Sequence, residues 1–449
     1  MSAIVDVYGH NVLSANGSEW RRFRKILSPQ FNEENNQLVW RETLDQTQSM
    51  LKIWLDRQGN SSAGQAVAHD LMQLSLHIIS KAGFGVRMAW RDKDEHETVP
   101  VGHTFSYRGA LEGVLTNIYW VALLPKWLLS NSPFRWQRDA LRCKMEWGDY
   151  MTELYESKKS GSEPSCGDGM DLMGALIRDM PLPKSSMAES LSVSEILGNT
   201  FILLLAGHES TANSIHCSLL YLALHPHQQK LLQKDIDNIF AERPVSSWNF
   251  QTDMPKLSSG IAGAVLNEEL RLMAPLLFLL KRSDDDQVLS IEGTNYTLPR
   301  NSPIMLCTAA AHRNPAYWPS KDTKNPYNDL ENFHPERWLV SDDSSLLFQP
   351  QRNTYFPFSS GARSCLGRRF AHTEVMAALA TIFKDYSVEL ALDNLASEAE
   401  LKNLDTAARN KLWELAAKKA REKMGDVRQV LTLKMKDQEV PLRFVKRGE

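Results

Sequence analysis

The segment "FSSGARSCLGRRF", residues 358–370, places Cys365 between two glycines and among three arginines. The run that follows, "RRFAHTEVMAALATIF", has apolar residues at helical spacing, so it predicts a helix that begins just after the cysteine. Backbone N–H groups and the helix dipole stabilise a thiolate at such a position. Gly361 and Gly367 allow tight turns and the close approach of a flat group, and Phe358 shields the sulfur from water. A thiolate ligand to haem iron requires such surroundings.

Cys365 suits two further roles besides that of a haem ligand. A lone cysteine is most often a buried structural residue, and a cysteine near a helix N-terminus also suits a nucleophile or a redox sensor. The five cysteines are odd in number and form no C-x-x-C pair, which argues against a disulfide framework and a zinc ribbon and indicates a reducing compartment. Other motifs must decide among the three roles.

A charged pair occurs in "NEELRL", where Glu268 and Arg271 are three residues apart and therefore share one helix face. Such a pair is common on solvated helices and carries little information alone. It gains meaning from the later stretch "FHPERW", residues 333–338, which supplies a second arginine, Arg337. A carboxylate between two guanidinium groups predicts a buried ion network.

An acid with two hydroxyl neighbours lies inside the longest apolar-periodic segment, which runs from Ser194 to about Leu224. The motif "AGHEST" there contains Glu209, Ser210 and Thr211, which are side chains able to carry protons. A zinc motif H-E-x-x-H is excluded because its second histidine is absent.

An indole and a guanidinium are four residues apart in "GSEWRRFRKIL", at Trp20 and Arg24, so a helix presents them on one face. Without other motifs, this stretch would be interpreted as a solvated basic face with a partly buried tryptophan. The neighbouring Arg21, Arg22 and Lys25 add to that basic surface and are a candidate docking site for an acidic protein.

The run F-x-x-G-x-R-x-C-x-G at 358–367 resembles the haem-binding signature of the cytochrome P-450 family. The four stretches above and "HRNPAYWP", residues 312–319, resemble that family in the expected order, and the resemblance covers nearly the whole chain. It implies a P-450 fold, mainly α with minor β, as a single domain over residues 1–449. In its general sequence features, including a charged stretch at about 394–425, the chain is similar to fungal members of that family.

The resemblance also implies roles for the motif residues. Cys365 would be the iron ligand of haem b, Glu268, Arg271 and Arg337 a structural network, and Glu209 with Ser210 or Thr211 the proton carriers, in a helix that bulges above the iron. The remaining predicted haem-binding residues are Trp20, Arg24, Arg282, Phe358, Gly361, Arg363 and Gly367.

The implied activity is that of a haem-thiolate monooxygenase, which inserts one oxygen atom of O2 into a small apolar organic substrate in fungal secondary metabolism or xenobiotic oxidation. The chain has no dinucleotide fingerprint or flavin motif, so NADPH electrons require a separate flavoprotein reductase or a cytochrome b-type donor. Alternatives are a non-catalytic haem-binding remnant and an isomerase, dehydratase or peroxygenase of the same family that needs no reductase.

Two departures from the family pattern bear on these alternatives. Family members usually carry a membrane anchor, a hinge, and the first helices and strands before the W-x-x-x-R helix, whereas Trp20 is the twentieth residue here. The resemblance therefore implies an N-terminally incomplete member, and a full-length form would be peripheral at the endoplasmic reticulum membrane. Ser210 stands where the family usually has threonine.

Composition and hydropathy limit the remaining possibilities. A net charge of −3 and a pI near 6.5 argue against a nucleic-acid binder. No apolar run approaches the ~20 residues of a membrane-spanning helix, so an intracellular location without an anchor in this chain is expected. Helical periodicity dominates the first two-thirds, residues 286–306 predict short strands, and the last apolar runs, "VLTLKM" and "VPLRFV", predict a hairpin.

Overall fold

The computed structural model describes residues 5–59, 67–90, 99–161, 171–178, 191–320, 324–340, 347–392, 395–396, 398–429, 431–435 and 440–448. Helices dominate these ranges. In chain order they are α1 (Gly17–Leu27), α2 (Glu33–Gly59), α3 (Val67–Phe84), α4 (Tyr107–Thr116), α5 (Ile118–Leu123), α6 (Lys126–Ser130), α7 (Arg135–Ser160), α8 (Leu172–Arg178), α9 (Val193–Leu224), α10 (Pro226–Phe240), α11 (Phe250–Ser259), α12 (Ile261–Leu272), α13 (Thr308–Ala311), α14 (Pro326–Glu331), α15 (Arg368–Asp385), α16 (Glu398–Asn403) and α17 (Thr406–Gly425).

The strands of the described ranges pair two by two, all antiparallel. The pairs are β1 (Phe278–Arg282) with β4 (Pro303–Cys307), β2 (Gln287–Ile291) with β3 (Thr294–Leu298), β5 (Tyr386–Leu390) with β8 (Leu442–Lys446), and β6 (Val427–Gln429) with β7 (Leu433–Met435). The prediction of a mainly helical protein with minor sheet is confirmed. The predicted hairpin between the last two apolar runs is wrong, because β7 pairs with β6 and β8 with β5.

Helix α9 begins at Val193, one residue before the predicted start. Its cap is Ser192, whose backbone N–H donates to Glu195 Oε2 at 2.8 Å while the N–H of Glu195 donates to Ser192 Oγ at 3.3 Å. This reciprocal arrangement satisfies N–H groups that a helix start leaves unpaired. The helix ends at Leu224, and Pro226 opens α10 at a position where its missing N–H costs nothing.

The chain forms two compact units, and the single-domain organisation over 1–449 stays a prediction. Unit 1 comprises Met1–Met50, Met72–Glu209 and Arg369–Glu374, and unit 2 comprises Leu51–Leu71, Ser210–Arg368 and Val375–Glu449. In unit 1, the half-buried ring of Tyr8 packs edge to face against the buried rings of Trp147 and Phe201. In unit 2, Trp318 and Trp338 form a cluster with Ala264 and Leu330.

The charged stretch predicted at about 394–425 contains α16 and α17. Helix α17 buries a narrow stripe of small and apolar residues, which are Ala416, Ala417, Ala420 and Met424, and packs against β5 and β7. Its other side chains are largely exposed, in agreement with a solvated helical surface. Among the described residues, no helix combines the length and the apolar character needed to span a bilayer.

Candidate active site

The loop that carries Cys365 is a short, internally bonded turn in unit 2. A 3-10 turn covers Gly361–Arg363, and the N–H of Cys365 donates to the carbonyl oxygen of Phe358 at 2.9 Å. Helix α15 begins at Arg368, so the thiol lies three residues before a helix N-terminus, as predicted. Cys365 is exposed, which contradicts a role as a buried structural cysteine.

The two glycines of this loop differ in backbone conformation. Gly361 has φ +77°, in the left-handed region that glycine adopts without steric cost, and Ser359 nearby has φ +62°. Gly367 has φ −83°, which any residue can adopt. The turn at Gly367 therefore does not itself require glycine, and the place of Gly367 in a haem site stays a prediction.

Arg363, Arg368 and Phe358 are near Cys365 in the sequence. The Arg368 guanidinium lies 5.7 Å from the ring centroid of Phe358, a distance at which a cation is attracted to the ring face. Arg363 is half-buried, and burial lowers its pKa while Asp284 acts in the opposite direction. The sequence pattern gave no indication that Asp284 is a neighbour of this loop.

His312 supports the segment just before Phe358. Its Nε2 accepts a hydrogen bond from the backbone N–H of Phe356 at 2.9 Å, so the imidazole is neutral with its proton on Nδ1. Burial lowers the pKa of His312 to about 4, which favours that neutral form. The histidine belongs to the motif "HRNPAYWP", but the spacing of that motif predicted no role for it.

The predicted charged network lies in the core of unit 2. Arg271 donates from Nε to Glu268 Oε2 and from a terminal nitrogen to Oε1, both at 2.8 Å, and both residues are fully buried. The Arg337 Nε lies 3.6 Å from Glu268 Oε1, so the three predicted side chains meet. The remaining N–H groups of Arg271 donate to backbone carbonyl oxygens, which belong to His312, Leu330 and Asn332.

Three partners of this network were not anticipated from the sequence. The Trp338 Nε1 donates to Glu268 Oε2 at 2.9 Å, and the backbone N–H of His334 donates to Oε1 at 3.0 Å. Asp329 Oδ2 lies 3.1 Å from Arg337. Because the two arginines face two carboxylates, the buried charges are balanced and hydrogen-bonded, as a buried ion network requires.

Trp20 and Arg24 lie on α1, in unit 1, and are half-buried, whereas Phe23 and Leu27 are the buried residues of that helix. Arg22 forms an ion pair with Glu195 at the start of α9. Burial opposes ionisation of Glu195, but hydrogen bonds from Arg22 and Ser192 together lower its pKa. Arg22 was expected to contribute to a docking surface for an acidic protein. This expectation is corrected, because the Arg22 guanidinium pairs with Glu195 of the same chain.

The motif at 206–211 is continuous α-helix in the described backbone, so the local bulge that the resemblance implies does not interrupt α9. Glu209 and Thr211 are buried, Ser210 is half-buried, and Ala206 is exposed. At Gly207, a Cβ atom would lie 3.3 Å from Ile79 Cδ1, so close packing of α3 favours glycine there.

Tyr119, on α5, is a neighbour of Glu209 that the sequence did not indicate. Burial and then the Glu209 carboxylate raise the pKa of Tyr119. Its hydroxyl oxygen is buried and has no hydrogen-bond partner within the part of the chain that the structure describes. The phenol is therefore protonated beside an acid of unit 1.

Arg282 ends β1 and is exposed, opposite Pro303 in the strand register. Lys281 beside it points to the other face of the strand and is half-buried.

The predicted site residues are divided between the units. Trp20, Arg24 and Glu209 belong to unit 1, and Cys365, Arg282, Ser210 and Thr211 to unit 2.

The Cys365 loop fits a haem-thiolate ligand, because it presents an exposed thiol before a helix N-terminus and uses its own N–H to close the turn. Comparison with known proteins agrees: the family model for cytochrome P450 matches residues 2–408. The chain belongs to the cytochrome P450 family.

Similar proteins support the same assignment. Cytochrome P450 monooxygenase 124 of Postia placenta is 30% identical over 393 residues, covering 86% of this chain and 70% of that protein. A P450 monooxygenase of Leptosphaeria maculans, named for a phomenoic acid biosynthesis cluster, is 25% identical over 431 residues, covering 90% of this chain and 72% of that protein. The crystal structure of the P450DA heme domain has a TM-score of 0.70 at 21% identity, covering 99% of this chain and 82% of that one.

These matches confirm the predicted P450 fold and a haem-binding oxidoreductase of the monooxygenase class. Family membership implies haem, O2 and an electron donor. The identity of the donor, the substrate and the individual site residues goes beyond that assignment.

Proposed function

We propose that this P450 inserts one oxygen atom of O2 into a small apolar organic substrate and receives NADPH electrons through a separate flavoprotein reductase. The observation that carries the proposal is the exposed Cys365 thiol in a turn closed by its own N–H. When haem b is bound, its iron supplies the oxygen chemistry, and a thiolate ligand favours O–O cleavage.

The protein's part in that reaction begins with holding the cofactor. Cys365 would bind the iron, and the guanidinium groups of Arg363, Arg24 and Arg282, with the Trp20 indole N–H, would bind the haem propionates. Arginine suits this role because its planar donors match a carboxylate. Phe358, Gly361 and Gly367 would complete the haem-binding loop, in which Gly361 shapes the turn through its left-handed backbone.

Protons come from the "AGHEST" segment of α9. Glu209 is buried, and Ser210 and Thr211 follow it on the same helix. This segment therefore supplies one carboxyl group and two hydroxyl groups that can carry protons. Ser210 keeps a hydroxyl where the family usually has threonine, but it lacks the methyl group that restricts rotation about Cα–Cβ. The Tyr119 phenol is a fourth proton-bearing group next to Glu209.

The Glu268, Arg271 and Arg337 network has a structural role in this proposal. It joins α12 to the 3-10 turn at Pro335–Trp338, and His312 links the same region to Phe356. These contacts hold the backbone that precedes the ligand loop. They set the position of Cys365 without contacting the reacting atoms.

The partner and pathway are inferred from the class of relatives. The Leptosphaeria maculans relative is named for a biosynthesis cluster, which supports secondary metabolism as the setting. Arg21 and Lys25 remain exposed on α1 and offer positive charge to an acidic reductase surface. Reduction rates that fall with added salt are expected for such docking.

The decisive experiment uses the full chain loaded with haem. Its reduced carbon-monoxide difference spectrum should show the thiolate-type band, which Cys365→Ser abolishes because a neutral hydroxyl does not donate comparably. Cys307→Ser, which changes a half-buried thiol in unit 2, is the matched control and should keep the band. Persistence of the band in Cys365→Ser would exclude Cys365 as the ligand.

Electron flow separates the remaining possibilities. With a P450 reductase, NADPH consumption that rises on adding an apolar substrate supports the monooxygenase. Turnover with peroxide but without reductase would indicate a peroxygenase, and a correct spectrum with no turnover would indicate a haem-binding remnant.

A further inference from the structure

A cleft of about 460 Å³ lies within unit 2, between α10, α17 and the sheet that β5 and β8 form. We call it the α17 cleft. Its volume falls within the ~300–1,000 Å³ that is typical of small-molecule sites. None of the residues predicted for the haem site lines it. One of its walls belongs to the charged stretch at about 394–425, for which the proposed function gives no role.

Side-chain hydrogen bonds between α10 and β5 fix the opposite wall of the α17 cleft. The Gln229 amide donates to the carbonyl oxygen of Val388 at 2.8 Å and accepts from the N–H of Val388 at 2.9 Å. Gln233, one turn further along α10, donates to Ser387 Oγ at 3.0 Å. All four residues line the cleft, and the two glutamines are buried. Because both glutamines bind the sheet, this wall is formed before any ligand enters.

Helix α17 brings an aromatic ring to the cleft together with a positive charge. Arg409 and Trp413 both line the cleft and are four residues apart, so they share one face of the helix. Arg409 is exposed, and the Trp413 indole is half-buried. An indole that lines a cleft and is not fully covered by the protein offers a flat apolar surface on which a second aromatic ring can stack.

Positive charge exceeds negative charge in the lining of the cleft. Lys230, Arg409 and Arg443 are its cations, and Glu389 is the acid among the described lining residues. Glu389 is opposite Arg443 in the register of β5 and β8, so both side chains lie on one face of the sheet. Within the ranges that the structure describes, none of the three cations forms an ion pair. All three are exposed and therefore accessible to an anion from solvent.

We propose that the α17 cleft binds a nucleoside phosphate. The base stacks on Trp413, the phosphate accepts hydrogen bonds from the arginines, and Glu389 accepts hydrogen bonds from ribose hydroxyls. Three positive charges and one negative charge leave a net charge of about +2, which matches the −1.5 to −2 of a phosphomonoester. A neutral nucleoside leaves the cations unused, and an inorganic phosphate leaves the indole unused. This inference is independent of the proposed oxygen chemistry.

The test is isothermal titration calorimetry of the full chain, loaded with haem, against three probes. AMP carries both the ring and the phosphate, adenosine lacks the phosphate, and inorganic phosphate lacks the ring. AMP should bind at least about tenfold more tightly than either of the other two probes, because it makes the charge-assisted hydrogen bonds and the ring contact together. AMP binding no tighter than inorganic phosphate would overturn the proposal, and so would the absence of AMP binding.

Variants locate the binding in the cleft. The double variant Arg409→Gln, Arg443→Gln should weaken AMP binding about tenfold or more. Arg300→Gln, Arg352→Gln is the matched control, because it removes two exposed arginines of unit 2 that do not line the cleft. Trp413→Leu should weaken AMP binding about three- to tenfold and leave the binding of inorganic phosphate unchanged.

Circular dichroism checks that each variant retains the native helix content. Equal losses of AMP binding in the two double arginine variants would show general attraction of an anion to the protein and would overturn the proposal. A Trp413→Leu variant that binds AMP like the native chain would also overturn it, because the base would then not stack on the indole.

Discussion

The hydroxyl of Ser75 donates a 2.5 Å hydrogen bond to Glu374 Oε1 in the core of unit 1. Glu374 is fully buried on α15, nine residues beyond Cys365, and its Oε2 has no partner among the described residues. Burial raises the pKa of Glu374 to about 8, against which the Ser75 hydrogen bond acts only in part. The carboxyl is therefore largely neutral at neutral pH.

Glu374→Gln should change how stability depends on pH. The folded pKa of about 8 lies above the ordinary 4.5, so the contribution of this group is complete below pH 4.5 and is lost as pH rises through 8. For one proton, the loss between pH 4.5 and about pH 7 is about 3 kcal/mol. Glutamine stays neutral, and urea unfolding of the variant should lack that decline. Exposed Glu389→Gln is the control, and parallel curves for native and Glu374→Gln chains would refute the neutral carboxyl.

Trp338→Phe should destabilise unit 2 more than Trp318→Phe does. Both indoles are buried in one cluster, but Trp338 donates to the Glu268 carboxylate and Trp318 to the carbonyl oxygen of Ala311. Hydrogen bonds to charged groups contribute about 1.5–3 kcal/mol and neutral ones about 0.5–1.5 kcal/mol. The free energies of unfolding in urea give the comparison. Equal losses would mean that Glu268 is satisfied without the indole.

His312→Gln should remove part of the acid sensitivity of the fold. The folded pKa of about 4 lies below the ordinary 6.5, so the contribution of His312 is complete above pH 6.5 and is lost as pH falls toward 4. Between pH 6.5 and about pH 5, one proton corresponds to about 2 kcal/mol. The free energy of unfolding in urea, plotted against pH across that range, should have a slope that is smaller by the equivalent of one proton in the variant. An unchanged slope would place the proton uptake elsewhere, for example at buried His216.

Tyr119→Phe should leave the stability of unit 1 within about 0.5 kcal/mol of native, because the hydroxyl it removes is unpartnered among the described residues. Tyr8→Phe is the matched control, since the Tyr8 hydroxyl donates to the carbonyl oxygen of Lys144 at 2.8 Å. That variant should lose about 1 kcal/mol in urea unfolding. A comparable loss in Tyr119→Phe would show that its phenol has a partner in solution.

Local chemistry determined much of this protein from the sequence. The thiol before a helix, the carboxylate and guanidinium three residues apart, and the apolar period of α9 each depend on neighbours within a few residues, so their spacing was sufficient. The family match depends on the order of those same short motifs.

Only the tertiary structure determined which residues from distant segments of the chain contact each other. Glu195 engages Arg22, Trp338 completes the Glu268 network, and Ser75 meets Glu374 across 299 residues of chain. The strand partners of β7 and β8 were likewise set at a distance, which is why the predicted hairpin failed. Side-chain hydrogen bonds, burial and strand pairing arise only after folding brings such segments together, because they depend on separation in space and not along the chain.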